Sequence, residues 1–192
     1  MSYNNKNDWE LTVGLEVHIQ LSTKTKMFCQ CLSIYGEEPN SLTCPICLAM
    51  PGALPMINKE AINMAIKLAH ALNFEINQET SFSRKNYYYP DLPKGYQITQ
   101  FEDPICKDGF LNIEHNNKKY KIGITRAHLE EDSGKLIHHS DQSSFIDLNR
   151  AGAPLIEIVS EPDLHSSEHA KLYLEKLKQI IKNIDISDCN ME

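Results

Sequence analysis

The stretch that most constrains this chain is "LTVGLEVHIQL", residues 11 to 21. Laid out as a strand, it splits without exception. Leu11, Val13, Leu15, Val17, Ile19 and Leu21 point one way; Thr12, Gly14, Glu16, His18 and Gln20 point the other. One side demands a core, and a sheet with one polar side is most often antiparallel. That polar side carries a carboxylate and an imidazole two residues apart, roughly 7 Å along the strand.

The other elements are read the same way. "NKEAINMAIKLAHALNF" predicts a helix with Asn58 as N-cap and Glu60 in its first turn. Its stripe of Ala61, Ala65, Leu68 and Leu72 is expected to pack on the apolar face of the first strand. "FLNIEHNNKKYKIGIT" reads as a hairpin turning at Asn116–Asn117. "KLIHH", "SSFIDLN" and "PLIEIVSEP" are short strands. "SSEHAKLYLEKLKQIIKNI" predicts a second helix, capped by Ser166 or Asp163, with Leu174, Leu177, Ile181 and Ile184 facing inward. Many strands, short turns and two helices predict an α+β fold, a largely antiparallel sheet with helices packed on one side.

The chain has 192 residues, 41% apolar and 23% charged, enough for one large domain or two small ones. Its net charge of -7 argues against a main nucleic-acid grip, which needs a basic surface, but leaves room for a polar cleft around a nucleic-acid end. "MSYNNKND" has neither the apolar run of a signal peptide nor the Arg-rich pattern of a transit peptide. No apolar run reaches membrane-spanning length. A cytoplasmic location is expected, where thiols stay reduced.

The cysteines then read as metal ligands or core residues before disulfides. Cys29-Gln-Cys31 and Cys44-Pro-Ile-Cys47 lie twelve residues apart. They predict a zinc-knuckle insertion over residues 29–55. Four sulfurs around one ion leave no open position, so the zinc would be structural. "FSRKNYYYPDLPKGYQITQF", residues 82 to 101, is read as an ordered loop. It is either a polar cavity wall carrying Arg84, Lys85 and Lys94, or a surface loop whose tyrosines cover a satellite core. Glu130, Glu131 and Asp132 in "TRAHLEEDSGK" read as a solvated acidic turn. Glu157 differs, because a carboxylate inside "PLIEIV" is costly unless paired or bound to a metal. Arg126, Lys135 and Arg150 are the candidate partners. No phosphate-binding glycine loop, nucleophile elbow or zinc-protease helix is present.

Five stretches go further: "VGLEVHIQLSTKTKMFC", "FSRKNYYYPDLPKGYQITQF", "ITRAHLEEDSGK", "DLNRAGAPLIEIVSEPD" and "SDCNME". In this order they resemble the B subunit of the tRNA-dependent amidotransferase, and they spread over most of the chain. The resemblance implies that residues 1–192 are the N-terminal catalytic domain, or cradle, of a longer protein. The helical and tail domains that grip tRNA in that family would be absent. It implies ATP-dependent amidation of mischarged Glu-tRNA(Gln) or Asp-tRNA(Asn). The aminoacyl carboxylate is phosphorylated, and ammonia then displaces the phosphate. The implied partners are an amidase (A) subunit that releases ammonia from glutamine and a small clamp (C) subunit, forming a heterotrimer.

Magnesium is the implied ion, at positions matching Glu16, His18, Glu131 and Glu157, with Glu131 also catalytic. Lys85 matches a position near the ammonia exit. The four cysteines are not universal in that family, so zinc here would hold a loop and carry no chemistry. A different class of function is a non-catalytic zinc scaffold that docks tRNA or partner subunits. Glu157 separates the two, because a scaffold has no use for an acid in an apolar strand.

Overall fold

The computed structural model describes residues 9–138, 140 and 143–190. "MSYNNKND", His139 of "KLIHH", and Met191 and Glu192 of "SDCNME" lie outside the described residues. Along the chain come β1 (Glu16–Gln20), α1 (Lys59–Ala71), β2 (Glu75–Ile76), β3 (Ser83–Asn86), β4 (Tyr96–Thr99) and β5 (Cys106–His115). Then follow β6 (Lys118–Glu131), β7 (Lys135–His138), β8 (Ser144–Asp147), β9 (Pro154–Ser160) and α2 (Ser167–Asn183). Five strands form one antiparallel sheet in the order β1-β9-β6-β5-β2, so the last strand in sequence enters between β1 and β6. The α+β architecture expected from the sequence is the one observed.

The β5–β6 hairpin turns where the sequence says, with Asn116 and Asn117 both at positive φ, 51° and 59°. Asparagine tolerates that conformation, and two such residues in a row match the twist of the strands they join. The register of β6 against β9 shifts between Ile124 and Arg126. Ile122 and Ile124 are buried before the shift, and Ala127 and Leu129 after it. The shift therefore changes which alternate residues face the core, a consequence that matters at the site below.

Both helices join one continuous core with Ile19, Ile156, Ile158 and Leu129. Asn58 caps α1 by accepting from the Glu60 N–H, and Ser166 caps α2 by accepting from His169. The stripe of α1 is buried as expected, but it lies over β2, β5 and β6, not β1. The reason is topological: α1 leads directly into β2 at one edge of the sheet, and β1 is the opposite edge, beyond β9. In α2 the inward residues are His169, Tyr173, Leu177 and Ile181, while Leu174 is exposed. Residues 82–101 are not a free loop but fold as the β3–β4 hairpin, with Tyr88 and Tyr89 exposed on its connection. Among the described residues, no helix is long and apolar enough to cross a membrane.

Candidate functional site

Across the polar face of the sheet, His18 of β1, Glu157 of β9 and His128 of β6 stand in one row, each directly opposite the next. Side chains opposite one another on adjacent strands come within contact distance. His18 Nε2 lies 3.1 Å from Glu157 Oε2, and His18 Nδ1 lies 3.2 Å from Glu130 Oε1. His128 Nε2 is 3.6 Å from Glu157 and 3.8 Å from Glu130. His18, Glu130 and Glu157 each offer a ligand atom, all within 4.8 Å of one another. Glu130 is 1% exposed and Glu157 8%, whereas the His18 side chain is half exposed. The cluster thus has a buried floor and an open top. A cavity of about 890 Å³ opens there, lined by His18, Gln20, Thr23, Tyr35, Asp132 and Asp188 among others.

The residues expected from the sequence divide. His18 and Glu157 meet. Glu16 shares their face but sits exposed near the strand's start, opposite Val159, and outside the close cluster. Glu131 is not brought to them. In phase with Ala127 and Leu129, it turns to the core side, where Oε2 lies 2.5 Å from Lys94 Nζ and Oε1 accepts from the Ile98 N–H. Glu130, its neighbour, takes the place at the cluster. Nor is the "EED" run a solvated turn, since Glu130 and Glu131 are each 1% exposed. None of Arg126, Lys135 and Arg150 pairs with Glu157 among the described residues. Arg150 bonds Asp132 at 3.3 Å, and Arg126 lies over the Phe101 ring. The sequence reading missed His128 and Glu130. Their signal was the alternation of "RAHLEE", which puts His128 and Glu130 on the side away from Ala127 and Leu129.

The β3–β4 hairpin closes one flank. Thr99 Oγ1 donates to Glu130 Oε2 at 3.3 Å, and Gln97 Nε2 donates to the Glu131 carbonyl at 2.7 Å. Lys85, opposite Gln97, is exposed, and its charge acts on both His128 and Glu130. Burial pushes the His128 imidazole down to about 4, helped by Arg126, His18 and Lys85, so it is neutral near pH 7. Burial also raises the Glu130 carboxyl; His18 and Lys85 pull it back and Glu157 pushes it further up. Burial likewise raises Glu131, with Lys94 opposing.

Two carboxylates and an imidazole at this spacing suit a divalent cation. Glu130 Oε1 is buried with no hydrogen bond of good geometry, its near neighbour being His18 Nδ1 at 3.2 Å, an arrangement a shared cation would satisfy. Magnesium needs few protein oxygens and keeps waters, which the open side allows. The imidazole is the softer donor and also suits manganese or zinc.

The four cysteines form a second cluster. Cys29, Cys31, Cys44 and Cys47 place their sulfurs within 4.8 Å of one another. Cys31 and Cys47 are 4.0 Å apart, and Cys44 and Cys47 3.7 Å. Tetrahedral zinc at about 2.3 Å from each sulfur sets them about 3.8 Å apart, so the four residues fit a structural zinc. All four are free thiols. The Cys47 thiol is drawn down to about 4, first by a hydrogen bond from Cys29 and then by the Cys44 N–H and the Lys26 charge, against its burial. The Cys31 thiol is pushed up to about 11, chiefly by burial.

Residues 11–192 match the family model described as the GatB/GatE catalytic domain. The chain is 59% identical over 184 residues to the B subunit of the aspartyl/glutamyl-tRNA(Asn/Gln) amidotransferase of Campylobacter curvus. It is 56% identical to the same protein of Helicobacter hepaticus and 53% to that of Carboxydothermus hydrogenoformans. Each match covers 96% of this chain and 39% of the relative, so the chain spans about two-fifths of the length of these curated relatives. With nearly its whole length inside the match, the chain belongs to the GatB/GatE catalytic domain family.

Proposed function

We propose that this chain carries the carboxylate-activating step of the amidation of Glu-tRNA(Gln), Asp-tRNA(Asn) or both. The observation that carries the reading is the meeting of His18, Glu130 and Glu157, from three strands, beside an open polar cavity. A side-chain oxygen of the aminoacyl group attacks the γ-phosphorus of ATP, and ADP leaves. Ammonia then attacks the acyl carbon and phosphate leaves, giving the amide. Such a step rests on positioning and on cancelling negative charge. Magnesium, when bound, would supply most of that cancellation.

His18, Glu130 and Glu157 would hold the ion, with Glu16 at the rim. His128, neutral and buried, lies beneath the two carboxylates without hydrogen-bonding either. Lys85 would face the charge that builds on the acyl phosphate. Glu131 would have a structural role, tying the β3–β4 hairpin to β6 through Lys94 and the Ile98 N–H. The cysteine cluster would hold structural zinc and stiffen the 29–55 segment. An amidase subunit that supplies ammonia, a small clamp subunit and a cytoplasmic setting complete the reading.

The test is ATP hydrolysis by the intact enzyme with its partner subunits. It should depend on mischarged tRNA and on magnesium, and it should collapse in Glu157→Gln while glutaminase activity falls far less. Hydrolysis by Glu157→Gln at the wild-type rate would remove the metal site and favour a scaffold role.

A further inference from the structure

Lys26 supplies a ligand to neither cluster, yet it is 0% exposed. Lysine is almost never buried so fully unless something meets its charge. Its Nζ donates to the carbonyls of Leu42 at 2.8 Å and Leu148 at 3.2 Å. Among the described residues no carboxylate pairs with it. Two neutral carbonyls take two of its three hydrogens and leave the positive charge uncancelled.

The surroundings supply the missing partner. The Lys26 N–H donates to the Cys31 carbonyl at 2.9 Å, so its backbone is tied to the first cysteine pair. Its side chain ends on Leu42, two residues before the second pair. The lysine thus runs beneath the knuckle from one arm to the other, and its charge acts on the Cys47 sulfur. Beyond it lies Gly152, at φ +89°, where an added Cβ would sit 3.5 Å from Lys26 Cδ and 3.8 Å from Glu131 Oε2. Resting on the reading of the cysteines as a zinc site, the charge count is simple. Four thiolates outweigh one divalent ion by two negative charges, and in a half-buried cluster a fixed positive charge beside the sulfurs offsets part of that excess.

We propose that Lys26 is the internal counter-charge of the cysteine cluster, a positioning residue that helps four thiolates hold one divalent ion at a half-buried site. It acts on the ligands and touches no metal. Residues that orient and balance metal ligands commonly change metal affinity by about ten- to a hundredfold.

The experiment measures zinc affinity of the full-length protein by competition with a chelating dye, at one pH, and cobalt binding by its thiolate charge-transfer absorption. Lys26→Met should weaken zinc binding about tenfold or more, while saturating cobalt still gives the four-thiolate spectrum. Lys26→Arg, which keeps the charge, should stay within about threefold. Cys31→His removes one negative charge, so the penalty of Lys26→Met should shrink in that background, which a purely structural lysine would not do. Unchanged zinc affinity in Lys26→Met, or an undiminished penalty beside Cys31→His, overturns the proposal. Lys26→Gln, which retains a donor for both carbonyls, replaces Lys26→Met should that variant not fold. Failure of both neutral variants to fold in saturating zinc would assign Lys26 to the fold alone and overturn the proposal too. A wild-type protein that takes up no zinc or cobalt would instead overturn the zinc reading itself.

Discussion

Glu130 and Glu131 are neighbours on one strand, equally buried, and they sit on opposite faces of one sheet. Glu131 is closed in. Lys94 and the Ile98 N–H meet its two oxygens, and no cation is needed. Glu130 faces another acid and two histidines, with one oxygen lacking a hydrogen bond. Burial raises both carboxyls, so burial alone does not tell a structural acid from a working one. The partners do. A paired acid stabilises its surroundings, whereas an acid beside another acid costs stability until something positive arrives.

The sharpest way to break this contrast is to remove one charge at a time. Glu131→Gln should lower stability by about 3–5 kcal/mol, because Lys94 is left buried without its partner. Chemical unfolding checks this, and ATP hydrolysis per folded molecule should stay within a few-fold of wild type. Glu130→Gln and Glu157→Gln should do the reverse. ATP hydrolysis should fall by about a hundredfold or more, on the scale of losing one strong electrostatic contact to the transition state. Their melting temperatures should hold or rise without divalent ions, since a repulsive pair has been relieved. If Glu131→Gln abolishes hydrolysis while Glu130→Gln spares it, the assignment of the two faces is wrong.

A smaller effect sharpens the same point. Replacing Glu131 and Lys94 together, as Glu131→Leu with Lys94→Met, should recover most of the stability lost by Glu131→Gln, to within about 1–2 kcal/mol of wild type, because an apolar pair of similar size removes both buried charges. No such double replacement should rescue Glu130 and Glu157. The smallest effect lies deep on the helix side. The Tyr173 hydroxyl is buried without a hydrogen-bond partner among the described residues, and burial pushes it up to about 12. Tyr173→Phe should be neutral or stabilising by about 1 kcal/mol. A tyrosine with its pKa raised in the folded state contributes stability that is present below about pH 10, its ordinary value, and lost as pH climbs toward 12. The variant should therefore lose less stability between those two values, which denaturant titration at each pH would show.

Much of this was legible in the chain. Alternation located β1, and its polar face named His18. The Asn116–Asn117 pair placed the hairpin, and Asn58 and Ser166 placed the helix caps. The CxC and CxxC pairs brought four sulfurs together as expected, because each pair is local and only one loop had to close. Glu157 announced itself as an acid in an apolar strand. These are short-range signals, carried by periodicity, turn chemistry and spacing.

What the sequence by itself determined, then, was a set of elements and the residues with chemistry to offer. Only the tertiary structure decided which of them meet. Setting β9 between β1 and β6 aligned His18, Glu157 and His128 in one row, and strand order depends on contacts between residues far apart in the chain. The register shift after Ile124 reset the parity of β6 and sent Glu130 to the cluster and Glu131 to Lys94. A side chain's face flips with each residue of register, so the local alternation of "RAHLEE" set the two adjacent glutamates on opposite faces, and a single irregularity within the sheet set which of those faces meets His18 and Glu157.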